Sequence, residues 1–443
     1  MKLNYGRTVR IGFAFLAICA FWQMYNNVIP LILTNTFHMN ESLSGAIMAA
    51  DNVLALFLLP LFGSLSDKCK SPMGRRKPFI LAGTVLSVLL MLLVPVLDNR
   101  YFSYPSKGLS MVFVCVLGLL LIAMGTYRSP AVALMPDLTP KPFRSRANAV
   151  INLMGALGGI IYLILASILY SEARTKGLTH VNYLPLFLIV AAIMVLSLLI
   201  VLFTINEPAL RLQVENYEKD HPEQEAAPVG DDGSRTLPPA VKRSLIFLLI
   251  SVSLWFISYN AVETWFTTYA QRMWGMSLGS ASLCLTIATG GAILSYIPIG
   301  QAAARFGRRR VIIAGVVLLA SCFFVLFIYT LLSGSFHPVL YLLLLLIGLA
   351  WAAINVNSLP MVLEMCSGAE IGRFTGLYYT FSMAAQIVTP VAAGTLMNRI
   401  GYTSLFIYST LFAGMAFLTM SQVKHGDTKV QAKRGLEAYD IDD

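Results

Sequence analysis

The chain has 443 residues, 57% of them hydrophobic and only 12% charged, with a formal net charge of +10. A soluble protein of that size needs far more charge to cover its surface, so lipid is the expected solvent and a soluble globular enzyme is excluded. The basic excess alone would suit a nucleic-acid binder, but its placement along the chain argues against that partner.

A hydrocarbon core of about 30 Å takes about 20 apolar residues per helix. On that measure twelve spans are expected, over residues 11–35, 42–63, 79–97, 109–136, 146–170, 182–205, 244–270, 278–303, 311–331, 337–365, 373–397 and 402–422. The first contains Asn26 and Asn27 and lacks a small-residue cleavage site, so it reads as a retained span and not a removable signal peptide. After the second span comes a short charged loop, Gly63-Ser-Leu-Ser-Asp67-Lys-Cys-Lys-Ser-Pro-Met-Gly74-Arg75-Arg76-Lys77-Pro78. After the sixth lies the one long loop, residues 206–243, with Glu215, Glu218, Asp220, Glu223, Glu225, Asp231 and Asp232 among Pro and Gly. That composition cannot bury a core and predicts a flexible cytoplasmic linker. It divides an N-terminal six-helix half (1–205) from a C-terminal one (244–422), which a cytoplasmic tail (423–443) follows.

With an even number of spans, both ends share a face. That face holds every Lys and Arg except Arg128, within a span, and Arg100, Lys107, Arg174, Lys176, Arg272 and Arg399 on the other side. The positive-inside rule makes it cytoplasmic in a multi-pass protein of the cell membrane. The basic excess therefore orients the chain and needs no nucleic acid. Cys19, Cys69, Cys115, Cys284, Cys322 and Cys366 show no paired spacing, so they read as packing residues, with no metal or disulfide expected.

The two halves repeat each other at three points. The charged loop has a weaker copy, Gly300-Gln-Ala-Ala-Ala304-Arg305-Phe-Gly307-Arg308-Arg309-Arg310. Trp22, Tyr25 and Asn26 in the first span match Trp255, Tyr259 and Asn260 in the seventh. Asp137, with Arg146 nine residues on, matches Glu364, with Arg373 nine residues on. Transporters duplicated in this way bind substrate near the bilayer midplane, between the halves.

Gly63-x-x-x-Asp67…Gly74-Arg75-Arg76-Lys77-Pro78-Phe79-Ile80 resembles the signature loop of the major facilitator superfamily. Its closing Gly-Arg-Arg-Lys-Pro-Phe-Ile is similar to the form in the glycoside–pentoside–hexuronide:cation symporters, above all their sucrose-transporter-like branch. Ser129-Pro130-Ala131-Val132-Ala133-Leu134-Met135-Pro136-Asp137-Leu138 with Arg146-Ala147-Asn148 resembles a second segment of that branch, and Asp51-Asn52 resembles its bacterial members. The likeness is specific mainly over residues 45–160. It implies an all-α membrane protein with the major facilitator fold, twelve transmembrane helices in two pseudo-symmetric halves, moving a disaccharide or glucoside such as sucrose or maltose with a proton. There are departures: Val132 stands where plant members have arginine, Ala304 takes the acidic place of the second loop, and Ala55 and Leu59 replace the aspartates of sodium-coupled melibiose-type carriers.

Ionisable groups inside the membrane cost at least a few kcal/mol, so each asks for a partner or a role. Asp51, Glu263 and Arg128 are the sharpest. No histidine lies at mid-membrane, so a carboxylate is expected to couple protons: Asp51 first, with Glu263 sharing the proton or gripping sugar hydroxyls. The bland alternatives are a structural hydrogen bond from Asp51 to Asn26 or Asn27, a rim pair of Glu263 with Arg272, and a structural ion pair at Arg128. Sugar recognition needs aromatic faces and polar side chains, and the candidates are Asn26, Asn27, Asn52, Arg128, Trp255, Tyr259, Asn260, Glu263, Asn355 and Gln386. Asn355 and Asn357 lie two apart and cannot share a helical face.

The gating candidates are Asp67, Arg75, Arg76, Asp137, Arg146, Glu364 and Arg373. Asp67 is expected to latch the halves through the start of span eleven, helped by Arg373 or Arg146, whereas Arg75, Arg76 and Lys77 mainly set topology. The function expected is sugar–proton symport by a monomer without cofactor. An exporter or a carrier of another small polar solute is the alternative. A membrane enzyme or sensor finds no nucleophile motif, metal cluster or phosphate loop to support it.

Overall fold

The computed structural model describes residues 3–140, 143–220, 238–365 and 371–427. Among these, twelve helices are long and apolar enough to cross a membrane. They are α1 (Tyr5–Leu31, continued by a π-helical turn, Ile32–Thr36), α2 (Glu41–Asp67), α3 (Lys77–Ser103), α4 (Lys107–Asp137), α5 (Arg144–Leu169), α6 (Leu184–Thr204), α7 (Pro239–Trp274), α8 (Leu278–Phe306), α9 (Arg308–Leu332), α10 (Leu340–Leu363), α11 (Ile371–Ile400) and α12 (Ser404–Ser421). Helices satisfy their own backbone polar groups, which lipid cannot do. Their starts are written locally: Asn40, Ser106 and Ser277 accept the N–H of Leu43, Leu109 and Ser280 at 2.8, 3.2 and 3.1 Å.

Two hydrophobic cores form. One draws on residues 11–205 with Leu278, the other on residues 245–423. Within the halves α1 packs on α5 and α8 on α10; between them α2 packs on α11 and α5 on α8. The α2–α11 approach depends on Gly45, where a Cβ would collide with the Pro390 carbonyl.

The stretch expected to be a linker begins differently. Residues Glu207–Asp220 are helical, and Glu207 is 1% exposed. Its carboxylate accepts the N–H groups of Arg75, Arg76 and Lys77 at 2.8, 2.9 and 3.0 Å, filling the orphan donors that open α3. Gly74, at φ +106°, makes room for it, since a side chain there would meet the same carboxylate. The other half repeats the device: Asp427 accepts the Arg308 N–H at 2.7 Å at the start of α9. The first residues of the expected tail are thus docked, with Val423 fully buried and the Lys424 N–H donated to Ser244 Oγ at 3.2 Å. The acidic composition of 206–243 averaged over one residue that is structural.

Glu207→Ala leaves buried N–H groups without an acceptor and should cost about 1–3 kcal/mol. Thermal unfolding of the purified protein in detergent reads this, and an unchanged midpoint would show that the cap contributes nothing.

Candidate functional site

A cleft between the halves is lined by Asn26 of α1, Met48, Asp51 and Asn52 of α2, Asn260, Glu263 and Thr264 of α7, and Gln386 and Pro390 of α11. Six sequence candidates (Asn26, Asp51, Asn52, Asn260, Glu263 and Gln386) therefore meet in one place. On α2, Asp51 Oδ1 accepts the Asn52 N–H at 2.6 Å and its side-chain amide at 2.9 Å. The hydrogen-bond partner of Asp51 is thus Asn52, not Asn26 or Asn27. The Arg128 charge acts on Asp51, and its guanidinium lies 5.8 Å over the Trp22 indole in a cation–π contact within the N-terminal half, although Arg128 is not itself among the residues lining the cleft.

On the C-terminal wall Asn260 is 9% exposed, with its amide nitrogen unpartnered, and Glu263 is half-buried beside it. Tyr259 lies flat on Trp351 of α10, rings 3.8 Å apart and 7° from parallel, with Phe256 edge-on at 5.2 Å. Trp351 was not among the expected residues. The one sequence signal that could have found it is its setting, a lone indole among small residues in Gly348-Leu-Ala-Trp351-Ala-Ala353.

Other candidates lie elsewhere. Trp255 is fully buried in the C-terminal core and reaches no cleft, so it is a packing residue. Asn27 bridges the halves instead, accepting from Thr267 Oγ at 2.7 Å and donating to the Gln23 carbonyl at 2.6 Å. Asn355 is half-buried on α10, while Asn357 is buried and donates to the Ala353 carbonyl at 2.9 Å. The two diverge, as their spacing requires, and neither lines the cleft.

The two faces of the molecule differ. On the face opposite the termini, short contacts join the halves: Asn35 donates to Gln271 at 2.6 Å, Arg272 to the Thr34 carbonyl at 3.4 Å, the Gly279 N–H to the Tyr170 carbonyl at 2.9 Å, and Tyr402 to Glu41. Toward the termini α2 is less buried. Its face is buried at Gly45 and Ala49, but two turns on Leu56 is 49% exposed.

At the basic face, Asp67 is held by Arg76 at 2.5 Å and more loosely by Arg75 at 3.8 Å, both of its own half. Arg146, near the start of α5, and Arg373, near the start of α11, are both exposed. Asp137 binds Arg75 at 2.7 Å and Arg76 at 2.8 Å, and Glu364 pairs with Arg308 in the same place of the other half. Arg76 is only 5% exposed and Lys77 donates to the Leu202 carbonyl at 2.8 Å, so these cations are structural partners and not topology signals alone.

Residues 11–279 and 273–438 match the Major Facilitator Superfamily. The chain belongs to that superfamily. Over a shorter stretch this facilitator is similar to the sucrose transport protein SUC3 of Arabidopsis thaliana, with 33% identity over 138 residues, 28% of this chain and 23% of that protein. It spans about a quarter of the length of the curated relatives it matches. Its fold is similar to a bacterial homologue of the iron transporter ferroportin in an inward-facing state, at TM-score 0.70 and 14% identity over 95% of this chain and 99% of that one. It is similar also to the xylose transporter XylE from E. coli, at TM-score 0.68 and 15% identity over 97% and 98%. At such identity the likeness is one of fold.

Tyr402→Phe removes a hydrogen bond to a carboxylate that joins the halves, a contact of about 1.5–3 kcal/mol. A thiol placed in the cleft by Thr264→Cys should then react severalfold faster with an impermeant maleimide from the far face. An unchanged rate would mean that this contact does not hold the face shut.

Proposed function

We propose that this facilitator carries a disaccharide or glucoside together with a proton, by alternating access between its halves, with the basic face in the cytoplasm of a cell membrane. The observation that bears most weight is Asp51: a carboxylate at the interface cleft, among amides from both halves, with a guanidinium acting on it. A carboxylate whose solvation changes as the cleft opens to one side or the other takes up and releases a proton. Asn26, Asn52, Asn260, Glu263 and Gln386 supply donors and acceptors for hydroxyls, and the Tyr259–Trp351 pair supplies an aromatic wall for a sugar's C–H face. The similarity to sucrose transport proteins supports the substrate class, and the asymmetry of Lys and Arg supports the orientation.

On this reading the cleft faces the cytoplasm, and the contacts of Thr34, Asn35, Glu41 and Tyr170 form the closed outer gate. Closing the cytoplasmic side brings α11 toward Asp67, whose carboxylate then meets the helix N-terminus and latches the halves. Arg75, Arg76 and Asp137, with Glu364 and Arg308 opposite, hold the loops in which that latch sits. Arg146 and Arg373 lie at the helix starts that must move.

Vesicles with an inward proton gradient test the proposal with a panel of disaccharides. The wild type accumulates one of them, whereas Asp51→Asn loses accumulation and keeps sugar exchange. Gradient-independent or outward movement would instead indicate an exporter, and concentrative uptake by Asp51→Asn would remove that residue from the proton path. Asp67→Asn should change both uptake rate and the balance of inward- and outward-facing forms; if neither moves, Asp67 is no latch.

A further inference from the structure

A second buried carboxylate lies far from the cleft. Asp98, near the outer end of α3, is 0% exposed, and neither of its oxygens receives a hydrogen bond. The Thr36 hydroxyl lies beside it without a bond of full geometry. Among the described residues the one basic group within ion-pair distance is His180, its Nε2 3.7 Å from Asp98 Oδ2. Tyr183, at the start of α6, is the other titratable group facing Asp98, with Tyr170 beyond it.

His180 is itself held in place. Its ring stacks on Phe102 at 4.4 Å and 12° from parallel, and its Nε2 shares a hydrogen bond of 2.8 Å with Asn99 Oδ1. Burial pushes its imidazole below the ordinary histidine range, so near neutral pH it does not supply a fixed positive charge to balance Asp98.

Both sides of this pair lead to the outer gate. On one side, Thr36 ends the π-helical turn whose Thr34 carbonyl and Asn35 side chain bind Arg272 and Gln271 of the other half. On the other, Asn99 donates to Asn182 at 2.9 Å, and the Asn182 carbonyl accepts from Tyr170 at 2.9 Å. The Tyr170 backbone carbonyl in turn accepts the Gly279 N–H of the other half. With the gate shut, the carboxylate is fully buried between the Thr36 hydroxyl and the His180 ring; parting of the halves would loosen the elements that bury it.

We propose that Asp98 and His180 form a second proton site, separate from the central cleft, which binds one proton from the outside medium while the outer gate is closed and returns it when the gate opens. The site acts as a pair, sharing a single proton between carboxylate and imidazole. By linkage, a proton held more tightly by the closed form must favour closure: external acid shuts the gate and external alkali frees it. The outward sidedness rests on the orientation proposed above, but the coupling of this pair to the gate does not depend on what the cleft carries.

Hydrogen exchange of the full-length protein in nanodiscs, without sugar, tests this over about pH 5.5 to 8, the range in which a histidine pair titrates. After correction for intrinsic rates, segments 32–37 and 171–183 should exchange more slowly in acid, by up to about tenfold for each unit by which the two forms differ in proton affinity. Asp98→Asn, neutral and of the same shape, should exchange at the slow acid rate throughout. In His180→Gln the midpoint of the response should shift, a readout that remains if Asp98→Asn fails to fold. A wild-type pH response in Asp98→Asn, or an unmoved midpoint in His180→Gln, would overturn the proposal. Because no sugar is present, failure here is distinct from failure of the symport reading.

Discussion

Hydrocarbon offers no partner to a polar group, and an unsatisfied one there costs several kcal/mol. That cost decides where each charge in this chain lies. Asp51 and Glu263 are tolerated because they line the cleft between halves, and Arg128 because it lies over the Trp22 indole with its charge acting on Asp51. Asn27 is tolerated because Thr267 of the other half and the Gln23 carbonyl satisfy it. The interface is therefore both the place where polar side chains can exist and the place where a polar solute can be met. Asp98 is the exception, fully buried with His180 at 3.7 Å, and its neighbours connect it to the contacts that join the halves at the face opposite the termini.

The same reasoning explains the basic face. Helices α3 and α9 start with backbone donors that lie close to the membrane boundary, and each start is capped by a carboxylate from beyond the sixth span of its half, Glu207 or Asp427. The arginines beside those caps are then matched by Asp137 at the end of α4 and Glu364 at the end of α10. Each half thus fastens its own third, fourth and sixth spans at the basic face, and the N-terminal half adds its second span through Asp67. A rigid half of this kind is what alternating access needs, because the motion must concentrate between halves and not within them.

Much of this was legible in the sequence. Long apolar runs declare spans through one strong physical signal, and all twelve form; the duplication appeared in residues such as Asp137 and Glu364 that hold equivalent ion pairs. Six cleft residues could be named because a polar side chain in an apolar helix has few places to go. What escaped was whatever depends on rotation about a helix axis or on partners distant in sequence. Trp255 and Tyr259 look alike in the sequence, yet one packs in the core and the other stacks on Trp351. Glu207 was hidden in a stretch whose average composition reads as linker, because capping is a property of one atom pair and not of a window. The pairing of Asp67 with Arg75 and Arg76 of its own loop was likewise not foreseen, because those arginines read in sequence as topology signals.

If the contacts of Thr34, Asn35 and Glu41 at one face and the exposed stretch of α2 around Leu56 toward the other are two ends of one rocking motion, the two faces must move in opposite senses. Paired spin labels on the exposed positions Lys70 and Arg305 at the basic face, and Tyr104 and Val339 at the opposite face, report this directly. With sugar added at acid pH, the distance at the basic face should shorten in the same population in which the distance at the opposite face lengthens. Distances that stay fixed, or that change together in one direction, would contradict alternating access between these halves.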